Sequence, residues 1–120
     1  MNFDKFTQKS LEAVQGAYNT AKEYGNPEVK EIHINYALLN DKEGLIPRVL
    51  TYMDKNPEMI KSDILKVIER LPKQSGAEVY ADSSYRELFQ KAEGFMKKMG
   101  DDFLSVEHIY LGLLNMKGTD

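Results

Sequence analysis

Apolar and small residues recur every three or four positions in two long stretches of the chain, which is the spacing of one face of an α-helix. The stretches end before Gly25 and Gly100, and glycine commonly closes a helix because it adopts the left-handed conformation without strain. A shorter helix is predicted after each glycine, over 31–40 and 105–116. The long helices are predicted to bury Ser10, Ala13, Val14, Ala17, Ala21 and Tyr24 in the first, and Tyr85, Leu88, Phe89, Ala92, Met96 and Met99 in the second.

Two further helices are predicted between these pairs. Pro47 stands near the first turn of one of them, over 45–53, where its missing N–H costs little. Asn56 followed by Pro57 is typical of the start of the next helix, and Pro72 predicts its end. This second helix has one apolar stripe, which we expect to be buried: Met59, Ile60, Ile64, Val67, Ile68 and Leu71.

The remaining local signals concern a linker and two helix starts. Residues 73–82 lack a helical period and predict an exposed, mobile linker, in which only 78–80 suggest a strand. Ser84 and Glu87 have the spacing of a capping box, which predicts a helix start at residue 83 or 84. Ser105 is a good N-cap residue for the last helix.

The chain also repeats itself at an offset of 75 residues. The block from His33 to Asn40 reappears at 108–115, and positions 12–42 show 11 identities in 31 without a gap, where chance gives roughly two. Two helices that merely share leucine and alanine would not reproduce such a block. The prediction is a single all-α domain built as a pseudo-twofold tandem repeat of a four-helix unit, with repeat one at 1–72, a linker at 73–82 and a partial repeat two at 83–120. The second unit is expected to be truncated after its first two helices, either because it is naturally short or because a last helix pair is missing.

Composition narrows the function classes. The 120 residues are 42% hydrophobic and 29% charged, with a net charge of −3 and both signs interspersed, which indicates a globular domain and disfavours a nucleic-acid surface. With no cysteine, the chain has no disulfide, thiolate zinc site or cysteine nucleophile. No apolar run approaches the ~20 residues of a membrane span, and the first residues do not have the pattern of a signal peptide. We therefore expect a cytoplasmic protein without membrane contacts.

Several of these segments resemble the Clp amino-terminal domain, the double repeat at the front of AAA+ unfoldases and disaggregases. The resemblance lies in residues 6–14, with the sequence Phe-Thr-Gln-Lys-Ser-Leu-Glu-Ala-Val, in Gly25, in the helix at 33–39 and in the repeat itself. The junction 71–76, Leu-Pro-Lys-Gln-Ser-Gly, is most similar to the ClpB disaggregase branch. Domains of this family continue for two more helices, which favours a missing last helix pair over a naturally short second copy.

The resemblance implies a binding module and not an enzyme. The parent would be an ATP-driven AAA+ hexamer, and this domain would bind unfolded or aggregated polypeptide and pass it to the motor. No G-x-x-x-x-G-K-[ST] motif is present, so we expect no cofactor in this chain, while ATP and magnesium belong to the parent. The alternative is a module that docks an adaptor protein, as in a ClpC- or ClpA-like protease unfoldase.

The resemblance also implies a binding site with polar and apolar parts. The polar residues that match the family are Thr7, Asp101 and Glu107, and the candidates for an apolar groove are Phe95, His108 and Phe6. Each polar residue also has a simpler structural interpretation, as a helix cap, a turn residue or a first-turn acid. His108 and Phe95 stand where the family usually has aliphatic residues, which leaves the extent of the groove open.

Two other kinds of site are disfavoured. A reader of phosphorylated arginine in the ClpC branch has Glu-His in both copies, whereas this chain has Glu107-His108 in the second copy and Ile32-His33 in the first. The two histidines occupy equivalent places, where each imidazole is expected to donate to a nearby backbone carbonyl. No third donor at a suitable spacing suggests a metal site.

Overall fold

The computed structural model describes residues 3–74, 76 and 78–116, and this part of the chain forms six α-helices and one parallel pair of two-residue strands. The predicted all-α class is confirmed. In chain order the elements are α1 (Gln8–Glu23), β1 (Glu28–Val29), α2 (Glu31–Asn40), α3 (Leu45–Tyr52), α4 (Pro57–Arg70), β2 (Tyr80–Ala81), α5 (Ser83–Lys98) and α6 (Val106–Leu114).

Helix α1 begins and ends where its sequence directs. The Thr7 hydroxyl oxygen accepts a hydrogen bond from the Ser10 N–H and so caps the first turn. Gly25 follows the helix with φ of 71°, and Gly100 follows α5 with φ of 72°, which confirms both predicted left-handed closures. The buried face of α1 consists of small residues, which allows α2 to pack closely against it: Ser10, Ala13, Val14, Ala17 and Ala21.

Helix α5 starts at Ser83 as predicted, but the capping box is wrong. Asp82 is the N-cap, and its Oδ1 accepts from the Tyr85 N–H at 2.9 Å. Ser84 donates its hydroxyl to the same oxygen at 2.7 Å and accepts from the Glu31 N–H of α2 at 3.2 Å. A carboxylate placed earlier in the chain therefore takes the capping role, and the serine links α5 to α2.

The prolines predicted the bounds of α3 and α4 well, whereas the apolar stripe predicted the buried residues of α4 less well. Asn56 accepts from the N–H groups of residues 58 and 59, Pro57 opens α4, and α4 ends before Pro72. The predicted buried stripe of α4 is wrong for Met59 and Val67, which are 62% and 43% exposed. Only Ile68 is fully buried, because α4 rests on α2 and α3 along a narrow strip and its other sides face solvent.

Short backbone pairings tie the two halves of the chain together. In the strand pair, Val29 lies opposite Ala81, and the Asp82 N–H donates to Val29 O at 3.0 Å. An equivalent bridge joins Phe6 to Leu104. The predicted linker 73–82 therefore ends in a strand, while Ser75 and Ala77 lie outside the described residues, as do 117–120 of the second repeat.

The halves differ in how the second helix of each pair is covered. Leu39 in α2 is 2% exposed, and α4 packs against that helix. Leu114, which stands 75 positions later in α6, is 63% exposed. Within the described residues no further helix covers this side of α6, and the predicted additional helix pair stays a prediction.

The core contains a row of aromatic rings that runs from the surface inward. The exposed Phe3 meets Phe6 edge-on at 5.0 Å between centroids, and Phe6 stacks on Phe89 at 5.6 Å. Phe89 in turn contacts the buried Tyr85 at 4.8 Å, and burial raises the pKa of the Tyr85 phenol strongly. None of the helices in the described residues is long and apolar enough to cross a membrane.

Candidate functional site

Backbone pairing at Leu104 brings the predicted polar residues into one region. The Thr7 N–H donates to Leu104 O at 3.0 Å, and the Leu104 N–H donates to Lys5 O at 2.7 Å. Asp101 and Glu107 stand three residues before and after Leu104 on the same short connection and helix start. The segment before α1 and the segment before α6 thus form a common edge, which we call the acidic edge and define by Thr7, Asp101 and Glu107.

The hydroxyl group of Thr7 is engaged within the fold. It caps α1 and donates to Ser10 Oγ at 3.0 Å, and the buried Ser10 hydroxyl donates to Leu104 O at 2.9 Å. This relay fixes the start of α1 against the connection that carries Asp101. The structural interpretation of Thr7 as a helix cap is therefore confirmed, and any contact with a ligand would use its remaining surface.

Asp101 combines a fixed position with a charged surface. Its Oδ2 accepts a hydrogen bond from His108 Nε2 at 2.7 Å, while 47% of its side chain remains exposed. Its N–H donates to Met96 O at 3.0 Å, directly after the left-handed turn at Gly100. The simple turn interpretation is thus incomplete, because the carboxylate is also held by a buried ring.

Glu107 and the three apolar candidates occupy different environments. Glu107 is exposed in the first turn of α6, where the helix dipole stabilises its charge. His108 is only 1% exposed, so its predicted direct place on an apolar groove is wrong, because the ring is enclosed by the core and used to hold Asp101. Phe6 is half-buried in the aromatic row next to Thr7. Phe95 is half-buried in the last turns of α5.

The two histidines share one hydrogen-bonding pose, which differs from the predicted one. His33 Nδ1 accepts from the Lys30 N–H, and His108 Nδ1 accepts from the Ser105 N–H, both at 2.9 Å. The predicted donation to backbone carbonyls is wrong, because the other ring nitrogen, Nε2, bonds to a side-chain oxygen, of Asn26 in one case and of Asp101 in the other. Burial, with a further contribution from the charge of Lys30, lowers the pKa of His33 to about 4.

In the region of the first half that is equivalent to the acidic edge, a lysine pairs with a carboxylate. Lys30 Nζ lies 2.8 Å from Asp82 Oδ2, and Asp82 stands 75 positions after Thr7. Burial alone would raise the pKa of Asp82, but the hydrogen bonds from Lys30, Ser84 and the Tyr85 N–H outweigh it and lower that pKa. The carboxylate of Asp82 is thus paired with a lysine, while Asp101 and Glu107 at the acidic edge remain exposed.

A cleft of about 380 Å³ adjoins the acidic edge between α1, α2 and α3. Val106, next to Glu107, forms part of its wall, and small or apolar side chains form most of the interior. Lys9 Nζ pairs with Asp41 Oδ2 at 3.1 Å across its rim. The apolar and small lining residues are Ala13, Gly16, Ala37, Leu38, Gly44, Leu45, Ile46 and Val106, and the charged ones are Lys9, Glu12, Asp41, Glu43 and Arg48.

Sequence reasoning missed this cleft, whose lining does not include Phe6, Phe95 or His108. A glycine at position 16 in the middle of α1 and an alanine at position 37 in α2 were the available signals. A Cβ atom at Gly16 would lie 3.5 Å from Ala37 Cβ, so α1 and α2 approach closely at this point of the cleft wall. No group of three or more His, Cys, Asp or Glu within 3–74, 76 and 78–116 is placed to hold a metal ion.

Residues 5–119 match the sequence profile of the Clp repeat (R) N-terminal domain. The chain belongs to this family. The match extends over both halves of the chain. The ClpB branch suggested by the repeat junction also agrees with the relatives described next.

Among curated relatives of this Clp N-domain, the chaperone protein ClpB of Bacteroides thetaiotaomicron is 39% identical over 119 residues. ClpB of Clostridium perfringens is 36% identical over 121 residues. The alignments cover 99% and 97% of this chain, and 14% of each relative. The chain therefore corresponds to about one-seventh of the length of these chaperones.

Solved structures show the same fold at lower identity. The Hsp104 N-terminal domain from Candida albicans superimposes with a TM-score of 0.85 at 17% identity, covering 93% of this chain and 75% of that one. The N-domain of ClpV in complex with a VipB peptide gives a TM-score of 0.79 at 22% identity, covering 94% of this chain and 70% of that one.

Proposed function

We propose that this Clp N-domain binds apolar segments of unfolded or aggregated polypeptides for a ClpB-like disaggregase. Its membership of the Clp repeat family carries the proposal, and its similarity to ClpB chaperones over nearly the whole chain gives the branch. In this function the domain performs no catalysis and binds no cofactor. The parent would supply ATP, magnesium and a hexameric AAA+ motor to which the segment is passed.

The cleft and the acidic edge support this function physically. Ala37, Leu45 and Val106 offer apolar surface in an open depression, which suits side chains of many sequences. Glu107, which follows the lining residue Val106, and Asp101 carry exposed carboxylates that can accept hydrogen bonds from the backbone N–H groups or cationic side chains of an extended segment. A ClpV N-domain has been solved with a peptide bound, which supports peptide binding by this fold.

A titration of the isotope-labelled chain with β-casein, followed by NMR, tests the proposal. We expect shifts centred on the cleft and the acidic edge, with a dissociation constant of roughly 1 µM to 1 mM, because a shallow groove captures each segment weakly. Casein that causes no shifts in the folded wild-type chain would contradict it.

Matched variants locate the site. Leu45→Asp places a charge in the cleft, whereas Val49→Asp introduces the same charge on α3 outside the cleft lining. Only the first is expected to weaken casein binding. Similarly, Glu107→Ala should weaken it more than Glu31→Ala, which removes a first-turn acid from α2. Unchanged binding in Thr7→Ala, Asp101→Ala and Glu107→Ala would remove the acidic edge from the site.

The same titration distinguishes the adaptor-docking alternative. Binding to casein through an apolar cleft should tolerate many sequences and keep most of its affinity at high salt, because hydrophobic contacts are not screened and only the contacts to Asp101 and Glu107 weaken. A charged patch that docks a folded adaptor would instead lose affinity as salt rises. If most of the affinity for casein is lost when the salt concentration rises from 50 to 300 mM, as screening of exposed ion pairs would cause, the adaptor-docking alternative is favoured.

A further inference from the structure

The two buried histidines occupy equivalent positions in the two halves, so their hydrogen-bond partners can be compared directly. In both, Nδ1 accepts from a backbone N–H, so Nε2 carries the ring proton and donates. His33 donates to Asn26 Oδ1 at 3.0 Å, and His108 donates to Asp101 Oδ2 at 2.7 Å. The same buried ring therefore anchors the first residue after each left-handed glycine, but the anchored groups differ in charge.

The hydrogen-bond chains that start at His33 and at His108 also end in different environments. Asn26 is 3% exposed, and its amide nitrogen donates to Pro72 O at 3.2 Å, so this chain ends inside the fold. Asp101 is an exposed carboxylate, and within the described residues its side chain has a hydrogen bond only to His108. The hydrogen-bond chain that starts at His108 in the second half thus ends at a carboxylate that is exposed at the surface.

Asp101 is held from two sides. The left-handed turn at Gly100 and the bond from the Asp101 N–H to Met96 O fix its backbone. His108, itself locked by Ser105, fixes its side-chain rotamer. A side chain that is already ordered loses less conformational entropy when a ligand binds, so affinity rises without a new contact.

We propose that His108 is a positioning residue of the polypeptide-binding site, which acts by holding the Asp101 carboxylate in its binding orientation. His33 has only a structural role. The inference rests on the proposed function, since it assigns a role within that same site. It replaces the direct groove contact that the sequence suggested for His108.

Binding measurements on matched variants test the inference. His108→Leu should raise the dissociation constant for β-casein about three- to tenfold, whereas His33→Leu, which removes an equally buried ring and an equivalent backbone bond, should change it less than twofold. In an Asp101→Ala background, His108→Leu should have no further effect, because no carboxylate is left to position. Circular dichroism and NMR spectra establish that each variant is folded.

A spectroscopic measurement gives an independent readout in the wild-type chain. Long-range ¹H–¹⁵N spectra resolve the two imidazoles, and saturation with β-casein should shift the His108 Nε2 resonance while that of His33 stays constant. This measurement decides the matter should His108→Leu fail to fold. A purely structural His108 would show no selective shift.

The outcomes separate the two proposals. Equal effects of His108→Leu and His33→Leu, persistence of the His108→Leu effect without Asp101, or an unchanged His108 resonance on binding would overturn the positioning role while casein binding stands. A wild-type chain that binds no casein overturns the proposed function, and the positioning role with it.

Discussion

Lys30 Nζ and Asp82 Oδ2 lie 2.8 Å apart and join the start of α2 to the start of α5. Asp82 is 9% exposed at its side chain and Lys30 30%, so water screens this pair only in part. The hydrogen bond that Lys30 donates to Asp82 is the main reason that the pKa of Lys30 is raised, although burial opposes the shift. This pair and the strand contact next to it are a principal link between the two halves.

Substitutions at this pair should separate its two roles. Asp82→Asn keeps an oxygen for the Tyr85 N–H but removes the charge, and we expect it to cost about 1 kcal/mol of unfolding free energy. Asp82→Ala also removes the N-cap and should cost about 2 kcal/mol. Urea denaturation measures both. Lys9→Met, which breaks an exposed pair with Asp41, is the control and should leave the unfolding free energy close to that of wild type. Equal losses for all three variants would contradict this assignment.

The buried imidazole of His33 predicts a pH-dependent stability. Its pKa in the folded chain is about 4, whereas an unfolded histidine has a pKa of about 6.5. Between these values the unfolded chain binds more protons, so the free energy of unfolding should fall as the pH decreases from 6.5 to 4. The loss from this group is expected to be about 2–3 kcal/mol at the acid end.

Urea denaturation at pH 7 and pH 4.5 measures this effect. A folded His33→Leu variant is the comparison, since it lacks the titrating ring and should show a smaller loss between the two pH values. The depressed pKa of Asp82 makes its own contribution at lower pH, below about 3.8, and so lies outside this window. An identical pH dependence in wild type and variant would show that His33 does not titrate as expected.

Gly112 should be intolerant of a side chain. A Cβ atom there would lie 3.0 Å from Leu88 Cδ1 and 3.1 Å from Leu88 O, so α6 could accept it only by moving away from α5. We expect Gly112→Ala to lower the thermal midpoint and to cost about 1–2 kcal/mol despite the better helix propensity of alanine.

Gly16→Ala is the matched control in α1. Its Cβ would make an ordinary contact with Ala37 Cβ at 3.5 Å, so the gain in helix propensity should dominate and stabilise the chain by about 0.5–1 kcal/mol. Differential scanning fluorimetry can compare both variants with wild type. A destabilisation of similar size in both would show that the packing around Gly16 is as tight as the packing around Gly112, contrary to this expectation.

Local signals were sufficient for the helices, because each depends on residues near it in the chain. The ends at Gly25 and Gly100 and the start at Pro57 follow from backbone preferences that tertiary contacts do not override here. The capping box failed because Asp82 and Ser84 are both good caps, and only the neighbouring α2 decides between them. The prediction of burial along α4 was wrong for a related reason, because the sequence does not show how wide the contact between α4 and α2 is.

The family resemblance suggested Asp101 and Glu107 as binding residues, and that role stays a prediction. The sequence could not show that His108 points inward and bonds to Asp101. The cleft was missed because it is made by space between three helices, and a glycine at position 16 or an alanine at position 37 is equally compatible with two helices that pack closely and leave no cleft. Such a depression depends on interhelical distance, which no single segment encodes.

The pairings of Phe6 with Leu104 and of Val29 with Ala81 cross between the halves of the chain. Each half therefore completes its backbone hydrogen bonding with a segment that the other half supplies. Cutting the chain near residue 76 should give fragments that recombine as a noncovalent pair, since neither has a partner for its exposed edge when alone. Amide hydrogen exchange at residues 29 and 104 should consequently report one shared opening event, because separating either pairing exposes both.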